Sequence, residues 1–136
     1  MLSTTALYEI SRARFREARI LLNDQEPDGA VHLCGYALEC ILKMKIVEKL
    51  NWDGFPEINK EFEHYKSFRT HDLNVLLRLS GHEKLILGDL SMNARWQVAK
   101  SWNSEIRYQQ IGTMTEMAAK DILDATREII VFLIRA

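Results

Sequence analysis

The stretch Ala30-Val31-His32-Leu33-Cys34-Gly35-Tyr36-Ala37-Leu38-Glu39-Cys40-Ile41-Leu42-Lys43-Met44-Lys45-Ile46-Val47-Glu48-Lys49-Leu50 decides the fold. At helical periodicity, Ala30, Leu33, Cys34, Ala37, Cys40, Ile41 and Met44 form a wide apolar arc, and Leu38, Leu42 and Ile46 extend it. His32, Glu39 and Lys43 are left as a narrow polar side. A helix apolar on nearly every side is either the centre of a bundle or also meets a partner subunit. It starts near Asp28 or Gly29, after a polar turn over residues 23–29 that contains Pro27.

Working outward from it, a first helix is predicted from about Thr5 to Leu22, with Leu7, Ile10, Phe15, Ala18, Leu21 and Leu22 on one face. Arg12, Arg16 and Arg19 gather on the opposite side, within an arc of about 60°. Arg14 falls among the apolar positions. A buried charge must be paired, so Arg14 either reaches a carboxylate or carbonyl on a neighbouring helix or snorkels out at the bundle edge. Downstream, periodicity fails between Asn51 and Phe68, where Trp52, Gly54, Phe55 and Pro56 read as a connection and Glu57 to Tyr65 as a short helix. A third helix carries Leu73, Leu76, Leu77 and Leu79, with Thr70 as its candidate N-cap and Gly81 as its stop. A fourth runs from about Ser91 to Trp102, with Met92, Trp96 and Ala99 facing the core. The last has Thr113 and Glu116 as a capping box, then Ala118, Ala119, Ile122, Leu123, Ala125, Ile129, Ile130 and Leu133 on one face. The expected fold is all-α, an up-and-down bundle of four long helices plus a short additional one, forming a single domain over residues 1–136.

Composition agrees. Six Gly and two Pro are too few for the turns of a β-sandwich or barrel. Eighteen basic against nineteen acidic side chains leave a net charge of −1, which excludes binding dominated by bulk charge but not a local basic patch. Cys34 and Cys40 lie six residues apart on one helix, about 9 Å between Cα atoms and beyond disulfide reach. They read as small buried hydrophobes of a reducing compartment. No basic-then-apolar leader opens the sequence and no run of about 20 apolar residues spans a membrane, so a cytoplasmic location is expected.

Motifs that would carry familiar chemistry are missing: there is no GxSxG, P-loop, GxGxxG or HExxH, and no cofactor or metal is expected. Glu61 and His64 have the Glu-x-x-His spacing of di-iron bundles, but such sites need a second pair and two further Glu. The ridge Arg12, Arg16 and Arg19 reads as a phosphate-contacting surface or, interleaved with Glu17, as a solvated face; the second is favoured. Trp52, Trp96 and Trp102 are either a base-stacking platform or core and interface filling, again with the second favoured.

Two segments go beyond helix patterning. One is Tyr36-Ala37-Leu38-Glu39-Cys40-Ile41-Leu42-Lys43, followed by Thr70-His71-Asp72-Leu73 with Leu76 and Leu77; the other is Trp102-Asn103-Ser104-Glu105-Ile106-Arg107-Tyr108, just before the final helix. With the helix order, these resemble the HEPN family, the higher eukaryote and prokaryote nucleotide-binding domains, over nearly the whole chain. The resemblance implies a bundle that commonly dimerises and is often encoded beside a minimal nucleotidyltransferase. Many members are metal-independent ribonucleases of toxin–antitoxin or defence systems. In them an Arg stabilises phosphorane charge, and a His after four to six intervening residues handles protons.

This sequence departs from that pattern. No Arg precedes any of the four histidines at that spacing; Arg78 and His82 come nearest, one residue short, and Gln109 follows Arg107-Tyr108 where relatives often have Pro. The resemblance therefore implies a non-catalytic accessory module, a homodimer associated with a nucleotide, RNA or a nucleotidyltransferase partner. Its candidate binding residues are Arg69, His71, Glu105, Arg107 and Tyr108, in the loops feeding helix N-termini that favour anions. His71 and Asp72 capping the third helix, and Arg107 paired with Glu105 or Glu39, are the structural alternatives. The competing functions are a ribonuclease with a degenerate motif, built on Arg69 with His71 or Arg78 with His82, and a dimerisation scaffold.

Overall fold

Ser3 opens the first helix, α1 (Thr4–Asn23), by accepting the Ala6 amide on its hydroxyl at 3.1 Å. These helices come from a computed structural model that describes all 136 residues. Pro27 sits in the first turn of α2 (Pro27–Leu50), where its missing N–H costs nothing, and Asn51 ends that helix in the left-handed conformation at φ 52°. There follow a first 3-10 turn (Lys66–Phe68), α3 (Leu73–Ser80), α4 (Glu83–Gly88), α5 (Leu90–Ala99), a second 3-10 turn (Ser104–Tyr108) and α6 (Glu116–Arg135). The chain is all-helical apart from one isolated antiparallel bridge between Leu2 and Phe55.

The nearly all-round apolarity of α2 is explained by its neighbours: it packs on α1, α3, α6 and the second 3-10 turn. Ala18, Ala30 and Ala37 are fully buried small residues, and the Ser11 hydroxyl donates to the Ala37 carbonyl at 2.7 Å. Leu38, Ile41, Leu42 and Ile46 are buried from the other directions, and each such side chain contributes about 1.5–3 kcal/mol through removal from water. One cluster of 25 buried residues joins all six helices. No helix is long and apolar enough to cross a membrane.

Several boundaries differ from the sequence expectation. Three helices are long, at 20, 24 and 20 residues; the fourth expected long helix is α5, only 10 residues, preceded by the separate α4. Asp89 divides the two because its carboxylate caps α5 by accepting the Met92 amide at 2.9 Å. The N-cap of α3 is Asp72 rather than Thr70, whose hydroxyl instead accepts the Asp72 amide. The N-cap of α6 is Thr115, two residues beyond Thr113, whose hydroxyl is turned back to the Gln110 carbonyl. Residues 57–65 form successive turns rather than a helix. Arg14 stays at the bundle edge, paired with Glu17 of its own helix. Of the three tryptophans, Trp96 and Trp102 are core residues, and Trp52 is half-buried in an aromatic cluster with Phe55, Tyr65 and Phe68.

One close approach has a direct consequence. Trp102 lies flat against Gly35, where a Cβ would overlap its indole ring. Ala favours a helix interior over Gly by about 1 kcal/mol, but overpacking a core costs about 1–3 kcal/mol. Gly35→Ala is expected to lower stability by about 1–2 kcal/mol in urea denaturation. Gly88→Ala, with open space around it, is expected to leave stability unchanged or slightly raised. Equal effects of the two would contradict the packing of Trp102 on α2.

Candidate functional site

The polar side of α2 is the floor of the site. Asp28, His32, Tyr36, Glu39 and Lys43 succeed one another at helical spacing and form one stripe. The two loop segments singled out in the sequence close over it from opposite ends.

Glu39 is only 4% exposed. Its Oε2 accepts Lys43 Nζ at 2.9 Å and its Oε1 meets His71 Nδ1 at 2.8 Å. An ionised carboxylate only accepts, so Nδ1 carries the proton in this bond and the neutral imidazole offers Nε2 as its free lone pair. The His71 side chain remains 57% exposed despite this anchor. Next in sequence, Asp72 accepts the Asn74 and Val75 amides. His71 is therefore fixed at the mouth of α3, one ring nitrogen inward and one outward.

At the other end, the Trp102 Nε1–H donates to the His32 carbonyl at 3.2 Å, locking its indole on Gly35. Asn103 then caps the second 3-10 turn through the Glu105 amide, which delivers Arg107 to the stripe. Arg107 Nη1 donates to the Tyr36 hydroxyl at 3.3 Å, and the guanidinium lies 4.8 Å above the Tyr108 ring centre. Asp28 secures the loop beyond, its two oxygens accepting the Gly112 and Met114 amides at 2.7 and 2.9 Å.

Tyr36 is the meeting point. Its ring makes edge contacts with His32, His71 and Trp102 at 5.2, 6.2 and 5.0 Å between centres, while its hydroxyl holds Arg107. Thus His71 and Arg107 converge on one side chain. A polar cleft of about 500 Å³ opens beside it, lined by Arg69, His71, Asn74, Lys100 and Asn103 among others. A smaller one of about 190 Å³ lies between Asp28, His32, Arg107 and Met114.

Of the expected residues, Arg69 lines the larger cleft with its guanidinium over the Phe62 ring, and Arg107 and Tyr108 stack together at the smaller. Glu105 is exposed and makes no ion pair with Arg107; neither does Glu39, which is taken by Lys43 and His71. Arg78 pairs with Glu83 and the His82 ring is half-buried, away from this cluster. Glu61 bonds the Met1 amino group, and no third His, Cys, Asp or Glu joins it and His64 as a metal cluster. Tyr36 and His32 were missed as site residues. The signal for them was the i, i+4 run from Asp28 through His32 to Tyr36 on an otherwise apolar helix. The cysteines are not nucleophiles here: burial pushes the Cys34 thiol up to about 12 and Cys40 up to about 11.

Neither a family model, nor a curated protein, nor a solved structure matches this chain.

Two histidines couple the fold to pH. The Nδ1 atoms of His32 and His82 are buried without hydrogen-bond partners. Burial first, and then the charge of Arg107 for His32 and of Lys45 for His82, lowers both imidazoles below their ordinary range. The folded state thus prefers them neutral, whereas the unfolded chain takes up protons near pH 6.5. Their contribution to stability is complete above the unfolded value and is lost as pH falls below about 6.5 and through the lowered folded values. The urea midpoint is expected to fall between about pH 7.5 and 5.5, and the combined His32→Phe and His82→Leu variant to flatten that fall. An unchanged slope in the variant would contradict the assignment.

Proposed function

We propose that the chain is a HEPN-type accessory module that binds a phosphorylated ligand, a nucleotide or the backbone of RNA, on the Arg107–Tyr36–His71 seam, and acts beside a nucleotidyltransferase partner without cleaving what it holds. The observation that carries this reading is the convergence of two segments 36 positions apart, at His71 and Arg107, on the single ring of Tyr36. The seam supplies what a phosphate needs: Arg107 as a planar donor, with Arg69 and Lys100 as further cations along the larger cleft. It also supplies what a base needs, the exposed ring of Tyr108. The helical architecture, with α2 central, His71 ahead of α3 and Arg107 ahead of α6, is compatible with the HEPN resemblance.

Ribonuclease activity is the second reading, and the Glu39–His71 pair favours it, since a carboxylate-held imidazole is the arrangement of a general base. The Lys43 ammonium on the same carboxylate weakens that case, because it already neutralises the charge that would support an imidazolium. A homodimer is part of the proposal. Leu85, Leu87 and Leu90, at the corner of α4 and α5, are 53%, 40% and 91% exposed and offer it an apolar contact.

Calorimetry with ATP and with a short RNA, each at two salt concentrations, tests the binding. Loss of a charge-assisted bond to phosphate costs about 1.5–3 kcal/mol, so Arg107→Ala is expected to weaken affinity roughly 10- to 100-fold. No heat with either ligand, or affinity untouched by Arg107→Ala, would leave the scaffold reading. RNA incubated in chelator is expected to stay intact; scission abolished by His71→Ala would instead establish the ribonuclease. Light scattering is expected to give a dimer that Leu90→Glu dissociates.

A further inference from the structure

On the side of the bundle formed by α1 and α6, three arginines of α1 have no carboxylate. Arg12, Arg16 and Arg19 are exposed and form no ion pair, and the nearest acid on their helix, Glu17, is already taken by Arg14. Between α1 and α6 runs a groove of about 410 Å³ whose floor is apolar, made by Phe15, Ile41, Ile130, Val131 and Ile134. Those three arginines stand along its rim with Arg127, which is paired with Glu128 of its own helix. Neither Glu9 nor Glu17 lines it. A chain with net charge −1 has thus set three unpaired cations beside one oily trough.

The groove has the form of a seat for a helix. Its walls are two helices running in opposite directions, since Arg19 and Leu22 of α1 lie beside Glu116 and Lys120 of α6, and Tyr8 beside the α6 end that carries Ile134. Its floor is reached by Ile41 of a third helix, α2. Packing a further helix there would bury the floor and complete the layer. An extended segment would lay its own unpaired N–H and C=O groups over apolar side chains, whereas a helix has already satisfied them.

Charge selects the occupant. From Arg12 to Arg19 the basic edge spans about 10 Å at the helical rise, two turns, so carboxylates at i, i+3 and i+7 of a helix antiparallel to α1 match it. Nucleic acid fits less well. The groove's two aromatic rings are half-buried, and each carries one of its own cations on a face, Arg12 over Tyr8 at 5.8 Å and Arg19 over Phe15 at 5.5 Å, so neither is an open stacking platform like the exposed Tyr108. A second copy in the same groove would bring arginine against arginine.

We infer that the α1–α6 groove is a docking site for an acidic amphipathic helix of a partner protein, with apolar side chains in the trough and carboxylates on Arg12, Arg16 and Arg19. It lies on α1 and α6, apart from the Arg107–Tyr36–His71 seam, and stands or falls independently of the ligand assigned there.

The test uses the full chain and a fluorescein-labelled helical peptide of about four turns, with leucines along one face and glutamates flanking them. Its counterpart carries lysine for every glutamate. The acidic peptide is expected to bind and the basic one not to. Arg16→Glu with Arg19→Glu, both exposed positions whose folding is checked by circular dichroism, is expected to weaken the acidic peptide at least about tenfold, the effect of losing one charge-assisted contact. The same variant is expected to gain affinity for the lysine peptide, which simple misfolding cannot produce. Ile134→Glu is expected to weaken the acidic peptide and to give the lysine peptide no comparable gain. Absence of binding, or binding indifferent to the charge reversal, would overturn the inference. So would a short RNA that binds more tightly and is lost with the same arginines, or a dimer in light scattering that Arg16→Glu breaks.

Discussion

A carboxylate taken out of water inside a helical bundle must be met by donors, and how Glu39 is met organises one whole end of this molecule. Lys43, one turn along the same helix, neutralises the charge. His71, 32 residues away, takes the other oxygen and thereby ties the loop before α3 to the centre of α2. Leaving a buried acceptor without its donor costs about 1–3 kcal/mol, so the loop cannot drift without stranding the second carboxylate oxygen. Four residues earlier, Gly35 does the corresponding service for the other segment. Its missing Cβ makes the notch that receives Trp102 and so brings the second 3-10 turn, and Arg107, against Tyr36.

The molecule thus divides its polar chemistry between two faces. Along α2, acids and histidines are mutually paired or buried, and the cations left over, Arg69, Lys100 and Arg107, border clefts. Across α1 and α6, Arg12, Arg16 and Arg19 form no ion pair within the chain and border an apolar trough. The first arrangement suits a small, directional anion held by a few convergent groups. The second suits a long partner whose oily stripe is bordered by negative charge. That a nearly neutral chain sustains both follows from where its acids go: Glu39 to His71 and Lys43, Glu17 to Arg14, Asp28 to two backbone amides.

The fold was legible to the extent that it rests on periodicity. The apolar arc of α2 and the face of α6 from Ala119 to Leu133 follow from spacing alone, and those residues are buried except Leu33, Cys40 and Ile130, which are half-buried. Boundaries were harder because several residues compete for each cap. Thr113 and Thr115 both precede the last helix, and which hydroxyl accepts depends on where Asp28, 84 or more positions away, fixes the loop. The Asp89 cap starts α5 within a residue of the expected Ser91, whereas α4, six residues ending at Gly88, is too short for its period to be read. Of the site, His71 and Arg107 could be named from local pattern; the i, i+4 run through His32 marks Tyr36 as part of a polar stripe, but not as the meeting point. Its role arises from contacts over 35 and 71 positions, to His71 and to Arg107, which no local window contains. The groove was invisible for a related reason: the arginine ridge reads as a solvated face until the apolar side chains of α6 are seen beside it.

Glu39 also offers the sharpest measurement. Methionine keeps the length of the side chain but offers no carboxylate oxygen, so neither Lys43 nor His71 finds its acceptor. Hydrogen exchange on Glu39→Met should then show faster exchange of the amides between residues 66 and 73, while α1 and α6 keep their protection. If that segment exchanges as slowly as in the native protein, or if protection is lost evenly throughout the bundle, the buried carboxylate is not what holds the site together.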